Sequence, residues 1–387
     1  LDKGTNELII KIVNTGIKYQ IYDDSLRTFD SLPAATYCVR FSKLSGFYLE
    51  SRSNMQVNET VYGPHESKVE KVIASYNAFT RSLGVILSGA KGIGKSMFAR
   101  LLSTRAISAG LPVLIVDEAI PGIVSYLESI DQEVMILFDE FDKTFAHPSD
   151  DDKTDPQSTM LSLFDGTSNG KRLFVVTCND LKGLNDFLVN RPGRFHYHFR
   201  FDYPTADEIR TYMQDKLKPE YYDQIDAVIG FAGRVDLNYD CLRSIAFELN
   251  TGLPFTEAIK DLNIINLNAE CYNITMKFAN GVVYTASNVS CDLFDPSSEE
   301  YVRFYNKNDN FIFEVTYNND SVQFDKTSGT PFVEGKDLTF RYRNISDDEL
   351  SDPDEKACYD AITQIKSTTP AALTFRRVRS RDIHYAV

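Results

Sequence analysis

Gly89, Gly94, Lys95 and Ser96 stand at the spacing G-x-x-x-x-G-K-[ST] within Gly89-Ala90-Lys91-Gly92-Ile93-Gly94-Lys95-Ser96-Met97. Each residue type has a task with phosphate. The glycines let the backbone turn its N–H groups inward around phosphate oxygens, which side chains would obstruct. A helix opening at Lys95 aims the positive end of its dipole at the same oxygens. Lys95 brings a point charge to the β- and γ-phosphates, and the Ser96 hydroxyl is placed to ligate Mg²⁺. Gly89 to Met97 is therefore the expected nucleotide-binding segment, with ATP and Mg²⁺ as its ligands.

Further acids and amides fall where such a site needs them. Val134-Met-Ile-Leu-Phe-Asp139-Glu140 is an apolar strand ending in two carboxylates, the Walker B pattern. Asp139 would hold Mg²⁺ through its water shell, and Glu140 would orient and deprotonate the water that attacks the γ-phosphate. The next apolar run, Leu173-Phe-Val-Val-Thr177, leads through Cys178 to Asn179. Ligands of parallel sheets bind at the carboxyl ends of strands, so the Asn179 amide is expected to reach the γ-phosphate or the attacking water.

The elements that position these residues can be read from periodicity. Residues 85–87, 113–116, 134–138, 173–177 and 196–201 are short apolar strands separated by helical patterns, which implies a largely parallel sheet covered on both faces. A helical pattern through Val69, Val72, Ile73, Tyr76, Phe79 and Leu83 leads into the first of them. Residues 205–264 read as helices only, at 206–216, 221–229, 239–248 and 255–262. Before and after this core the chain is strand-like. Runs at 7–13, 18–22, 36–41 and 46–50 predict a small β domain over 1–62, and aromatic and β-branched strands between Asn/Asp/Gly turns predict another over 265–387. That last part holds an acidic stretch at 347–355, a short helix at 357–365 and an arginine-rich end (Arg376, Arg377, Arg379, Arg381). The fold expected is an α/β P-loop NTPase sheet over 63–204 with a small α-helical lid, flanked by N- and C-terminal mainly-β domains.

Composition narrows the setting. The hydrophobic fraction of 43% and charged fraction of 25% are those of a water-soluble globular chain. No window reaches the roughly eighteen uninterrupted apolar residues of a membrane span, and no signal peptide is read. The six cysteines are scattered without a C-x-x-C pair, which predicts free thiols in a reducing, cytoplasmic compartment. A net charge of −14 disfavours non-specific wrapping of nucleic acid.

After Asn179 comes Asn190-Arg191-Pro192-Gly193-Arg194. The phosphate loop, Asp139-Glu140, Asn179 and this R-P-G-R box, in that order and ahead of a helical segment, resemble an AAA+ ATPase. The resemblance spans about half the chain, residues 63–262. Within the family the core is most similar to the mitochondrial respiratory-complex assembly branch, whose membrane anchor has no counterpart here. The resemblance implies that Asn179 is the sensor-1 residue. It also implies that Arg191 and Arg194 reach the γ-phosphate of a neighbouring subunit, as planar donors that stabilise the transferring phosphoryl. A homo-oligomeric ring follows, a hexamer first and a heptamer second. The function expected is ATP-driven remodelling or translocation of a protein substrate or complex. The alternatives are a nucleic-acid motor or loader, with the arginine-rich end, Phe375 and Tyr385 as contacts, and a nucleotide-gated structural ring.

The sequence also departs from the family. Residues 117–122 lack the aromatic–aliphatic–Gly pattern of threading loops, and Tyr126 is expected to pack in the core. The lid offers only Arg243 as a sensor-2 candidate, and an arginine on a helix surface suits it better. His196-x-His198 predicts a packed strand rather than a metal site, and residues 141–155 a polar loop.

Overall fold

Runs that are apolar on both faces make the central strands, and alternating runs make the outer ones. The structure, a computed structural model, describes residues 11–378 except 15, 17–18, 24, 58–59, 147–155, 166–169, 186–187, 189–192, 263, 265–269, 292 and 294–298. The chain divides into two compact units: one runs to Gly89 and resumes over Gly94–Phe201, and the other comprises Ala90–Ile93 and the residues from Asp202 onward.

In the first unit β1 (Lys11–Asn14) and β2 (Tyr19–Tyr22) form an antiparallel hairpin. β3 (Thr36–Ser42), β4 (Gly46–Arg52), α1 (His65–Ala78), β5 (Leu83–Ser88), α2 (Lys95–Ser108) and β6 (Val113–Val116) follow. Then come α3 (Ile123–Glu128), β7 (Val134–Phe138), α4 (Phe141–Thr144), α5 (Pro156–Phe164), β8 (Arg172–Cys178) and β9 (Tyr197–Arg200). The sheet has the order β4-β3-β6-β7-β8-β5-β9. It is parallel from β3 to β9, with β4 antiparallel at one edge.

The strands expected in a separate N-terminal β domain are divided by this arrangement. β3 and β4 extend the central sheet, with Thr36, Tyr37 and Cys38 paired to Val113, Leu114 and Ile115. The physical reason lies in β3 itself. Thr36 to Val39 are buried on both faces, as an interior strand requires, whereas β4 alternates and ends exposed, as an edge does. Arg40, beyond the part of β3 that pairs with β6, forks onto Asp117 at 2.6 and 3.3 Å and so ties the hairpin to the segment after β6. Tyr126 stacks on Phe47 of β4 at 5.0 Å, against the core as expected.

The second unit opens with helices α6 (Ala206–Lys216), α7 (Ile225–Ala232), α8 (Tyr239–Asn250) and α9 (Phe255–Ala258). α6 starts at a reciprocal capping box between Thr205 and Glu208, which satisfies two first-turn donors at once. The strands are β10 (Glu270–Phe278), β11 (Val283–Cys291), β12 (Glu299–Tyr305), β13 (Phe311–Asn318), β14 (Gln323–Phe324), β15 (Pro331–Glu334) and β16 (Thr339–Tyr342). α10 (Pro353–Lys366) and β17 (Pro370–Arg377) complete the unit. They form sheets of order β11-β10-β17-β15-β14 and β12-β13-β16, all antiparallel. Their shared core includes Tyr272, Phe304, Phe313 and Ile362.

Two residues offered as nucleic-acid contacts belong to this core and its border. Phe375 is buried, and Arg377 pairs with Glu270 and, at 2.9 Å, with Asp236. Arg379, Arg381 and Tyr385 lie outside the described residues. Arg243 pairs with Asp240 on the surface of α8. No helix among the described residues is long and apolar enough to cross a membrane.

Candidate active site

Register assembles the site before any side chain does. β8 lies between β5 and β7, with Ser88 opposite Cys178 and Phe138 opposite Val176. The next residues along each strand are Gly89, Asn179, Asp139 and Thr177, so all of them emerge at one edge of the sheet. The Gly89 N–H donates to the Cys178 carbonyl at 3.3 Å and continues the ladder by one step.

From Gly89 the backbone leaves the strand through conformations that need glycine. Gly94 has φ of 105°, and a Cβ there would lie 2.9 Å from His65 Nε2. Gly92 has φ of 74°, and a Cβ there would come 2.6 Å from the amide of Asn238. The Asn238 amide donates to the Lys91 carbonyl at 3.2 Å, and the Tyr239 N–H to the Gly92 carbonyl at 3.1 Å. α2 then begins at Lys95 with no side chain capping its N-terminus. Helix geometry leaves the first-turn N–H groups of such an end without intrahelical acceptors, which suits an anion.

Lys95 is only 8% exposed. Its ammonium donates to the Gly89 carbonyl at 2.7 Å and to Asn179 Oδ1 at 3.0 Å. Because Oδ1 accepts from Lys95, the Asn179 amide is turned so that Nδ2 is its remaining donor. Nδ2 is buried and has no hydrogen-bond partner. An orphaned buried donor carries a desolvation cost that an anionic oxygen would remove. Ser96 is exposed at the same helix end.

Asp139 and Glu140 take opposite surroundings. Asp139 Oδ1 accepts the Thr177 hydroxyl at 2.8 Å, and the Glu140 N–H donates to that hydroxyl at 2.8 Å. Glu140 has φ of 46°, in the left-handed region that a non-glycine residue seldom enters. Its carboxylate is half-exposed and bonded to Lys143 at 2.7 Å. Three residues after Asp139, the Asp142 carboxylate accepts the N–H groups of Asn179 and Asp180 at 3.0 and 3.2 Å. Cys178, between these polar residues, faces the core, and burial pushes its thiol up to about 12.

Gly89, Asp139, Glu140, Asn179 and Lys95 therefore meet at one edge of the first unit's sheet. Arg191 lies outside the described residues. Arg194 is 6% exposed and forks onto Asp165 of its own chain, with one of the two bonds at 2.5 Å. That pairing, ahead of burial, raises the guanidinium pKa. His198 bonds Ser88 Oγ through Nε2 at 2.7 Å, one residue before Gly89. Among the described residues no cluster of three or more metal-ligating side chains exists. Thr177, Asp142 and Asn238 were given no role from sequence. The one available signal was Thr177, a hydroxyl closing an otherwise apolar strand.

The donor set fits a triphosphate with Mg²⁺: an uncapped helix N-terminus, a buried ammonium, an orphaned amide donor, an exposed serine hydroxyl and a held carboxylate. Such a parallel sheet with its glycine loop between strand and helix defines a P-loop nucleotide-binding domain. More narrowly, residues 85–203 match the family described as ATPase family associated with various cellular activities (AAA), so the chain carries an AAA ATPase domain. Similar proteins include Tat-binding homolog 7 of Caenorhabditis briggsae, 24% identical over 225 residues, which is 50% of this chain and 17% of that protein. ATPase family AAA domain-containing protein At1g05910 of Arabidopsis thaliana is 30% identical over 151 residues, 35% of this chain and 12% of that one. ATPase family gene 2 protein of Saccharomyces cerevisiae is 26% identical over 137 residues, 32% and 18% respectively. The chain thus spans less than a fifth of the length of these relatives.

Proposed function

We propose that this chain hydrolyses ATP as a homo-oligomeric ring, a hexamer first and a heptamer second, and couples turnover to remodelling or translocating a protein substrate or complex. The observation that carries the hydrolytic reading is the Lys95–Asn179 pair at 3.0 Å, whose buried Nδ2 is left as a donor beside the two acids. Lys95 and the loop N–H groups bind the phosphates, Asn179 Nδ2 donates to the γ-phosphate or orients water, and Glu140 takes the proton of the attacking water. Ser96 and Asp139 would hold Mg²⁺, which when bound neutralises charge on the β- and γ-phosphates. Glu140 must leave Lys143 to act, a release open to an exposed pair of this kind, worth roughly 0–1 kcal/mol.

The ring rests on the family and on Arg191 and Arg194 as donors across a subunit boundary. Arg194 would have to leave Asp165 for that task, so Arg191 is the first choice. Nucleic-acid contact through Arg377 and Phe375 is not part of the proposal, because both are committed within the fold. The likeness to the respiratory-complex assembly branch is kept for the R-P-G-R box alone, and no membrane role is carried with it. Free thiols favour a cytoplasmic setting. The divisions at 204/205 and 264/265 belong to the proposal, whereas β3 and β4 are strands of the nucleotide-binding sheet, so no division falls at 62/63.

Glu140→Gln tests the reading. It should bind ATP, sediment as the assembled ring and lose turnover by roughly 100-fold or more. Turnover at the parent rate would overturn the assignment. Mixing Arg191→Ala with Lys95→Ala should restore part of the activity if sites are shared between subunits.

A further inference from the structure

The Thr177 hydroxyl is placed where it can govern both acids of the site. Its side chain is 2% exposed at the end of β8. Both of its hydrogen-bonding directions are used across the sheet, one proton given to Asp139 Oδ1 and one N–H accepted from Glu140. A hydroxyl buried this deeply has to be hydrogen-bonded, and here both of its partners belong to the two acids. Among the described residues Asp139 Oδ2 takes no hydrogen bond, so it is the oxygen left for a metal's water shell. The second bond holds the amide of Glu140 at φ 46°, a backbone state that reverts unless its surroundings fix it.

We propose that Thr177 is a positioning residue: its single hydroxyl orients the metal-side carboxylate of Asp139 and fixes the turn from which Glu140 reaches water. This rests on the hydrolytic reading above. It predicts that the hydroxyl, not the volume, of residue 177 sets metal affinity and turnover together. The contact is short, buried and made to a charged partner, the kind of hydrogen bond whose loss changes an equilibrium by roughly ten- to a hundred-fold.

The test compares Thr177→Val, which keeps the shape, with Thr177→Ser, which keeps the hydroxyl. Mn²⁺ is titrated into enzyme saturated with ATP on the Glu140→Gln background and followed by electron paramagnetic resonance. Thr177→Val should raise the half-saturating Mn²⁺ by about tenfold while leaving metal-free nucleotide affinity unchanged, and Thr177→Ser should return it to within about twofold of the parent. In the Glu140-containing protein, kcat should follow the same order, with KM moved less. Parent-like Mn²⁺ affinity in Thr177→Val overturns the proposal, and so does Thr177→Ser behaving like Thr177→Val. Should Val unfold the sheet by calorimetry, Thr177→Ala takes its place in the same comparison. The Mn²⁺ titration reads Thr177 even if Glu140→Gln turns over, an outcome that would sink the hydrolytic reading alone.

Discussion

Asp142 supports the Asn179 loop from below, and replacing it with alanine should loosen the site in a measurable way. Its Oδ2 accepts two backbone N–H groups, Asn179 at 3.0 Å and Asp180 at 3.2 Å. A charge-assisted hydrogen bond contributes about 1.5–3 kcal/mol when its surroundings are dry. Asn179 is half-buried, so its N–H would be left without an acceptor, whereas Asp180 is near solvent and water can replace the carboxylate there. Counting the first bond in full and the second at a fraction gives a loss of about 2–4 kcal/mol. At about 2–4 °C per kcal/mol for a domain of this size, the first calorimetric transition should fall by roughly 4–16 °C. Asp142→Asn keeps one oxygen and should lose about 1 kcal/mol. Because Asn179 holds Lys95, Asp142→Ala should also lower kcat by ten- to a hundred-fold, the order expected when a reacting group moves by about 1 Å. The assay pairs scanning calorimetry with steady-state ATP turnover on the same preparations. An alanine variant that melts within about 1 °C of the parent and turns over at the parent rate would refute the argument.

Two further outcomes follow from buried charge and from a buried neutral ring. Burial, with Arg200 nearby, lowers His198 to about 4 from its ordinary 6.5. The folded state therefore keeps this ring neutral while the unfolded chain takes up a proton below 6.5, so its contribution is whole above that pH and is lost as the pH falls toward 4. At pH 5 the loss is about 2 kcal/mol, so urea midpoints should drop between pH 7 and 5, and His198→Gln should flatten that slope. Arg194→Ala should destabilise the isolated protomer by about 1–2 kcal/mol in urea, a modest value because Asp165 is exposed enough to be hydrated once its partner is gone. A variant as stable as the parent but defective only in the assembled ring would assign Arg194 wholly to the neighbouring site.

The phosphate loop was legible because its function is local: turn, helix start, ammonium and hydroxyl follow one another in the chain. Asp139 and Asn179 were legible for a weaker reason, as polar residues ending apolar strands. The pairing that makes them one site, Gly89 to Cys178 and Asp139 to Thr177, is set by strand order, and strand order does not appear in any window of sequence. The same limit explains β3. Its hairpin with β4 was readable from alternation, but its attachment to β6 depends on Val113 to Ile115, more than seventy residues on. The sequence holds one clue: Thr36-Tyr37-Cys38-Val39 is apolar or neutral without interruption, which suits an interior strand better than half of an independent hairpin. The Arg194–Asp165 and Arg40–Asp117 pairs left no trace in spacing, because opposite charges are common and only the fold selects which of them meet.

The arrangement makes β8 the member whose displacement the site could least absorb. Its neighbours carry the two halves of the proposed chemistry, the phosphate loop after β5 and the acids after β7, and its own last residues bond to Lys95, Asp139 and Glu140. Thr177 holds Asp139 and Glu140, and Asn179 holds Lys95. At the other end of the same strand the guanidinium of Arg172 is wholly buried, and it donates to the carbonyls of Leu127 and Ile130, where α3 ends. Burial lowers the pKa of that group, yet an arginine so placed keeps its charge, and the carbonyl end of a helix is a favourable place for it. β8 is thus pinned by polar bonds at both ends and by apolar packing between them. A slip by one residue would exchange its faces, bury Asn179, withdraw the hydroxyl from Asp139 and leave Arg172 without its carbonyls. Stability and the geometry of the site consequently draw on the same bonds, and substitutions along β8 should move both together, whereas the edge strand β4 leaves more room for change.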